Sequence, residues 1–373
     1  MAVLAAISVL ALLIVVHELG HFAAARLQGI HVNRFSIGFG PILWRYQGAT
    51  TEYALRAFPL GGFVGFPDDD PESTIPPSDE NLLKNRPILD RAIVISAGVI
   101  ANLIFAYLVF VVQFASVGIP QGINYEPGVL VPRVQSEVLL PDGQSVTSPA
   151  LKAGIKQGDI FLAINGESLG QGEAATDALM SSIQESPNQP LTFTLQRGDR
   201  TLELEMTPLR SQKQDKAIVG VGLMPNGTVD YRRPSGPVEV LTYGANEFQG
   251  TLLQTAQGLA SIVTNFSEVA DQVAGPVKIV EQGAQFAQRD VTRLFPFTAI
   301  ISINLAIINI LPLPALDGGQ LAFLLVEGVR GRPLPNQIQE NVMQTGLVLL
   351  LGLGIFLIVR DTAQLEVFQN LFQ

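Results

Sequence analysis

The sequence predicts a membrane protein, mainly α, with four transmembrane helices, a cytosol-facing β-hairpin region and an inserted extracytoplasmic α+β domain. Three observations predict it. There are four long apolar runs, one long polar section between the second and third of them, and a charged fraction of 15% where ordinary soluble domains carry about 25%. The length of 373 residues suits a membrane core with one soluble module. A net charge of −10 argues against a general nucleic-acid binder. With no cysteine, disulfides, thiolate metal sites and cysteine nucleophiles are excluded together. Imidazole chemistry falls to His17, His21 and His31 alone.

The first run is apolar over 1–16 apart from Ser8, resumes at Phe22 and ends at Arg26. A helix over 2–26 is long enough to span a bilayer. No Lys or Arg precedes Arg26, so the basic start of a cleaved signal peptide is missing. In the mixed section 27–90, residues 35–41 and 52–58 read as strands that turn at Pro59-Leu60-Gly61-Gly62, and 68–77 reads as an exposed loop. The second span covers 88–118, with Asp90 and Arg91 at its entrance. Its small residues Ala97, Gly98 and Ala101 permit close helix approach, and Asn102 at membrane depth needs a partner.

Residues 119–295 are polar. Within them 127–209 reads as a small α+β domain, with strands at 129–135, 159–164, 191–197 and 200–207 and a helix near 173–185. Residues 210–236 read as a linker. Over 237–266, Leu241, Ala245, Phe248, Leu252, Ala256, Leu259, Val263 and Phe266 recur at helical spacing, which marks an amphipathic helix that packs on protein, on the membrane surface or on both. The third span covers 294–316, includes Asn304, Asn309, Pro312 and Pro314, and meets Asp317-Gly318-Gly319; the fourth covers 342–359.

Basic residues set the topology. The loop 26–91 carries Arg26, Arg34, Arg45, Arg56, Lys84, Arg86 and Arg91, and the third loop adds Arg330 and Arg332. Both loops are expected in the cytosol, and 119–295 outside it.

His17-Glu18-Leu19-Gly20-His21 carries the chemistry. On a helix, positions i and i+4 lie one turn apart on one face, so both imidazoles reach one ion. Glu18 points to the side of that face, where it can take a proton from a water on the metal. The bland alternative is a pair of structural histidines, which at membrane depth beside a carboxylate is costly unless something binds them. A catalytic zinc needs a third ligand and an open position. A further histidine at position 27 is excluded, since Leu27 stands there, and His31 lies too near the polar loop. The carboxylates Glu52 and Asp317 remain. Asp317 follows a Pro-x-Pro break, and broken backbone at membrane depth is tolerated where it is buried or lines a cavity.

His17-Glu18-x-x-His21 in the first span, Asn309-Ile310-Leu311-Pro312-Leu313-Pro314-Ala315-Leu316-Asp317-Gly318-Gly319 in the third, and the intervening domain together resemble the site-2 protease family of intramembrane zinc proteases. The likeness is closer to the bacterial RseP-type members and covers essentially the whole chain. It implies Zn2+ held by His17, His21 and Asp317, with Glu18 as general base and Asn309 touching substrate or site. Pro59, Leu60, Gly61 and Gly62 match a cytosol-facing β-loop that holds unwound substrate. Gly98-x-x-x-Asn102 matches a motif of the second span, with Val99 in place of the usual proline. Ser148-Pro149-Ala150, Ala153-Gly154-Ile155-Lys156-Gln157-Gly158-Asp159-Ile160 and Ile164-Asn165-Gly166 resemble a PDZ pattern. Its carboxylate-capturing loop is expected near Gly128-Val129-Leu130-Val131, and the domain either binds peptide C-termini or excludes bulky substrates.

The organisation expected on this resemblance is an N-terminal membrane part at 1–118, a PDZ-like domain at 119–210, a linker and amphipathic helix at 211–293, and a C-terminal membrane part at 294–373. The implied substrates are single-pass membrane proteins, cleaved by regulated intramembrane proteolysis. The implied location is the bacterial-type inner membrane, with lipid bilayer but no nucleic acid as a partner. Two rivals differ in testable ways. A non-catalytic PDZ adaptor needs no metal, and an ion transporter would show inverted repeats and more intramembrane acids.

Overall fold

The computed structural model describes residues 1–71, 73–141, 144–210, 216–264 and 274–363. The chain forms two compact units, Met1–Gly118 with Arg233–Gln373, and Ile119–Arg232.

The first unit contains helices α1 (Ala2–Leu27) and α2 (Ile88–Ser116), with strands β1 (Arg34–Gln47) and β2 (Glu52–Gly65) between them. Among the described residues, four helical segments are long and apolar enough to cross a membrane: Ala2–Leu27, Ile88–Ser116, Val291–Ile310 and Asn336–Ala363. Each has the roughly 20 residues that about 30 Å of hydrocarbon requires. Leu4, Leu12 and Leu19 on α1 and Ile93, Ile100, Ile104 and Leu108 on α2 are exposed, as side chains that face lipid must be. The opposite faces pack tightly. A Cβ on Gly20 would lie 2.4 Å from the Ala97 carbonyl and 2.7 Å from the Ala101 Cβ, so the small residues at this crossing let the two backbones touch.

Residues 34–37 pair on one side with 52–55 and on the other with 62–65, while 42–47 pair with 52–56, so each strand bends back once. The bend expected at Pro59-Leu60-Gly61-Gly62 therefore lies inside β2. Gly61 has φ +154°, and a Cβ there would collide with the Phe39 ring at 1.9 Å, so only glycine fits.

The second unit opens with β3 (Ile119–Leu130), β4 (Glu137–Leu139), β5 (Ser145–Thr147) and the short α3 (Pro149–Lys152). It continues through β6 (Ile160–Ile164), β7 (Glu167–Ser168), α4 (Gly172–Gln184), β8 (Leu191–Arg197), β9 (Arg200–Met206), β10 (Leu209–Arg210), β11 (Ala217–Ile218) and β12 (Met224–Arg232). The main sheet runs β12-β3-β6-β8-β9, with β7 on β6. Val129, Val131, Phe161, Leu179, Ile183, Phe193 and Leu195 build its core. Asp159 of the Gly158-Asp159 pair is buried, accepts the Lys156 backbone N–H at 2.8 Å and takes two hydrogen bonds from Arg197 at 2.7 Å.

Two expectations change in this unit. Of the stretch 210–236 expected as a linker, the described residues 216–232 belong to the domain: Val219 joins the core and β12 pairs along β3, because alternating apolar residues there complete the sheet; 211–215 lie outside the described residues. Gly128-Val129-Leu130-Val131 is also no open loop. Val129 and Leu130 pair with Pro225 and Met224 on one side and with Phe161 and Ile160 on the other, so their edges are already taken.

Back in the first unit, α5 (Pro237–Thr264) answers to the amphipathic helix; Phe266 lies outside the described residues. It packs on α2, with Gly244 against Val111 and the Tyr107–Phe248 and Phe114–Tyr243 rings edge to face. A further helix, α6 (Pro276–Arg289), starts on its proline, and the buried Asp361 carboxylate accepts the Lys278 backbone N–H at 3.2 Å near its start. The third span, α7 (Leu294–Ile310), ends six residues before the expected 316, because Pro312 and Pro314 force extended backbone. A separate helix, α8 (Asp317–Arg330), follows, and α9 (Asn336–Ala363) exceeds the expected fourth span at both ends.

The Gly20 crossing gives a direct test. Gly20→Ala must push backbone against backbone, so it is expected to destabilise the purified protein by about 1–3 kcal/mol, read by denaturation in detergent.

Candidate metal centre

His17 and His21 lie one turn apart on α1, with ring planes at 87° and Nε2 atoms 3.2 Å apart. Asp317, the first residue of α8, brings Oδ2 to 3.2 Å from His17 Nε2 and 3.5 Å from His21 Nε2. Among the described residues these three form the one group of at least three histidine or acidic side chains able to hold a metal ion.

The local sequence explains how an aspartate reaches the first span. Pro312 and Pro314 end α7, and Ala315 turns the chain with φ +68°, a conformation uncommon for a residue with a Cβ. The Ala315 N–H rests on Met343 Sδ at 3.3 Å. Gly318 and Gly319 then let α8 start against the backbone it has just left. A Cβ on Gly318 would lie 2.1 Å from the Leu311 carbonyl oxygen, and one on Gly319 2.4 Å from that of Leu313. On the far side, Gly346 of α9 makes room for Pro314. Arg91 and Glu327, bridged at 2.5 Å, tie α8 to the start of α2.

The partners of the two histidines come from α2 and α7. His21 Nδ1 donates to the Val94 carbonyl at 2.8 Å, and Asn102 Nδ2 is 3.2 Å from His17 Nδ1. Asn309 Nδ2 is 3.4 Å from His17 Nε2. The Glu18 side chain lies beside β2: a Cβ on Gly62 would come within 2.9 Å of its Cγ. Pro59 and Leu60 belong to the same strand. The other candidate ligands are elsewhere. Glu52 pairs with Arg34 at 3.5 Å and Arg45 at 3.6 Å, and His31 pairs with Asp79 at 3.4 Å.

The donor set fits zinc. Ligands about 2.0–2.1 Å from a tetrahedral ion are separated by roughly 3.3–3.4 Å, and the three separations here are 3.2, 3.2 and 3.5 Å. Asp317 Oδ2 is also a buried oxygen without a well-formed hydrogen bond. Sequence reasoning did not find the Val94 carbonyl, the Arg91–Glu327 bridge or Met343. The signals toward Asn102 were its amide at membrane depth and the Gly98-x-x-x-Asn102 motif of the resemblance.

The model of "Peptidase family M50" matches residues 5–353. Across all of both chains, the protein is 59% identical to one of Nostoc sp. that is named among the zinc metalloproteases. It is 46% identical to the chloroplastic membrane metalloprotease ARASP of Arabidopsis thaliana, over 98% of this chain and 79% of that one. It is 28% identical to the regulator of sigma-E protease RseP of Escherichia coli, over 93% and 96%. A PDZ domain of an SdrC-like protein from Listeria monocytogenes covers 28% of this chain and 93% of its own at 16% identity, with a TM-score of 0.22, too low to carry an argument. With the family match running over nearly the whole length, the chain belongs to peptidase family M50, the site-2 protease family of zinc metalloproteases.

Proposed function

We propose that this zinc metalloprotease cleaves single-pass membrane proteins within or near their transmembrane segments, in regulated intramembrane proteolysis. The observation that carries the reading is the convergence of His17 Nε2, His21 Nε2 and Asp317 Oδ2 at 3.2–3.5 Å, with two of the three on a helix of membrane-spanning length.

In this reading His17, His21 and Asp317 hold the ion. Bound zinc supplies Lewis acidity, polarising a peptide carbonyl and acidifying a water. Glu18 would accept the proton of the attacking water and deliver it to the leaving amine. Asn309 offers its amide N–H groups to the substrate. A helical substrate hides its carbonyls in i→i−4 bonds, so it must unwind before it reacts. The edge of β2 at 61–64, beside Glu18, pairs with the extended form.

The exposed Phe39, Leu43, Trp44 and Phe58 of the β1–β2 region suit contact with the lipid interface. The basic residues of 26–91 support a cytosolic position for this region and the site, in a bacterial-type inner membrane, with the second unit outside. That unit reads as a PDZ-like domain by its Gly158-Asp159 and Asn165-Gly166 motifs. Because its expected capture edge is paired with β12, a role in screening bulky substrates is favoured over capture of peptide C-termini.

Glu18→Gln is expected to retain zinc and to lower cleavage of a membrane-embedded reporter by about 10²–10⁴-fold; undiminished cleavage removes Glu18 from the reaction. Asp317→Asn is expected to lower zinc occupancy, measured by elemental analysis, and unchanged occupancy would remove it from the ligand set. Gly98 tests the packing around the ion, since a Cβ there would lie 2.4 Å from His21 Nε2. Gly98→Ala is expected to lose zinc to a chelator that the parent survives, while Gly122→Ala, in open space, behaves as the parent.

A further inference from the structure

Three positions one turn apart on α2 face the histidine pair. The Val94 carbonyl accepts from His21 Nδ1 at 2.8 Å. Gly98 leaves the room that the imidazoles fill. Asn102 has no solvent exposure, holds its amide nitrogen 3.2 Å from His17 Nδ1, and has an Oδ1 atom that is buried without a hydrogen-bond partner. From the third span, Ser302 Oγ donates to the Asn102 backbone carbonyl at 2.8 Å, which pins this turn.

Resting on the zinc reading, we infer that Asn102 is a positioning residue for His17. Its amide oxygen accepts the His17 Nδ1–H and so holds the ring in the tautomer whose Nε2 lone pair faces the ion. A neutral imidazole carries one proton. With the amide nitrogen toward Nδ1, that proton belongs on Nε2, where it points into the cluster and excludes a cation. A half-turn of the amide puts Oδ1 opposite Nδ1, moves the proton there and frees Nε2. The same helix already does this for the other ligand, because the Val94 carbonyl can only accept and His21 Nδ1 must therefore carry the hydrogen. Histidines that bind metal almost always give their second N–H to such an oxygen, and its loss costs about 10–100-fold in metal affinity. Asn102 thereby gains the partner that an amide at membrane depth needs.

The test is zinc affinity of the purified full-length protein, by competition with a chromophoric chelator. Asn102→Leu and Asn102→Ala remove the acceptor, and Asn102→Asp keeps it. The first two are expected to bind zinc about 10–100-fold more weakly, with an altered visible spectrum of the Co2+-loaded protein. Asn102→Asp is expected to retain parental affinity, and all three to melt as the parent when metal-free. The inference is overturned if either acceptor-less variant binds zinc as the parent does, or if Asn102→Asp binds as weakly as they do. Asp317→Asn in the same titration separates the two levels. If it leaves affinity unchanged, the zinc assignment itself fails; if it weakens binding while Asn102→Leu does not, only the positioning role fails.

Discussion

Two imidazoles and a carboxylate held at 3.2–3.5 Å from one another, out of bulk water, are the constraint on which the first unit depends. Polar groups in such surroundings are costly unless each is bonded or shares a cation. The α-helix satisfies half of the requirement by itself, since residues 17 and 21 fall on one face. The other half needs a carboxylate from the far end of the chain, delivered to a fixed place. The break at Pro312 and Pro314, the left-handed Ala315 and the close return at Gly318 and Gly319 accomplish that delivery. Glycines recur at these points because backbone must approach backbone or ring: Gly20 on Ala97, Gly98 on the histidines, Gly346 on Pro314.

The second span links this centre to the rest of the unit. At one end Arg91 holds Glu327 of α8, and in the middle Val94, Gly98 and Asn102 meet the histidines. Ser302 of α7 reaches back to the turn that carries Asn102. A substitution in α2 can therefore alter the centre without touching a ligand, and the lipid-facing Ile93, Ile100 and Ile104 of the same helix are free to vary among apolar residues.

Much of this was legible in the sequence, for physical reasons. The spans announce themselves because lipid selects apolar side chains over a fixed length. The His17–Glu18–His21 spacing announces a shared face, and Pro312 with Pro314 announces a break. Whether Glu52 or Asp317 accompanies the histidines could not be read from the residues alone, because that depends on how distant segments meet; the resemblance, not spacing, favoured Asp317. The bent strands of β1 and β2 were read as a simpler turn, since local signals mark a reversal but not what lies between its arms. The stretch around Val219 and β12 was read as a linker because its short apolar alternation is interrupted by Gly220, Gly222 and Pro225, and its partner strand lies about a hundred positions earlier. Helix α6 escaped notice because it is short and its apolar residues, Val277, Ile279, Val280, Ala284, Phe286 and Ala287, are interspersed with polar ones.

The central claim concerns which atoms share one zinc ion, and X-ray absorption at the zinc edge of the purified, zinc-loaded protein reads that environment directly. The account expects one zinc per chain with nitrogen and oxygen neighbours at about 2.0–2.1 Å, an imidazole scattering signature equivalent to two histidines, and no sulfur. A spectrum lacking the imidazole signature, or one requiring a third histidine, would contradict it.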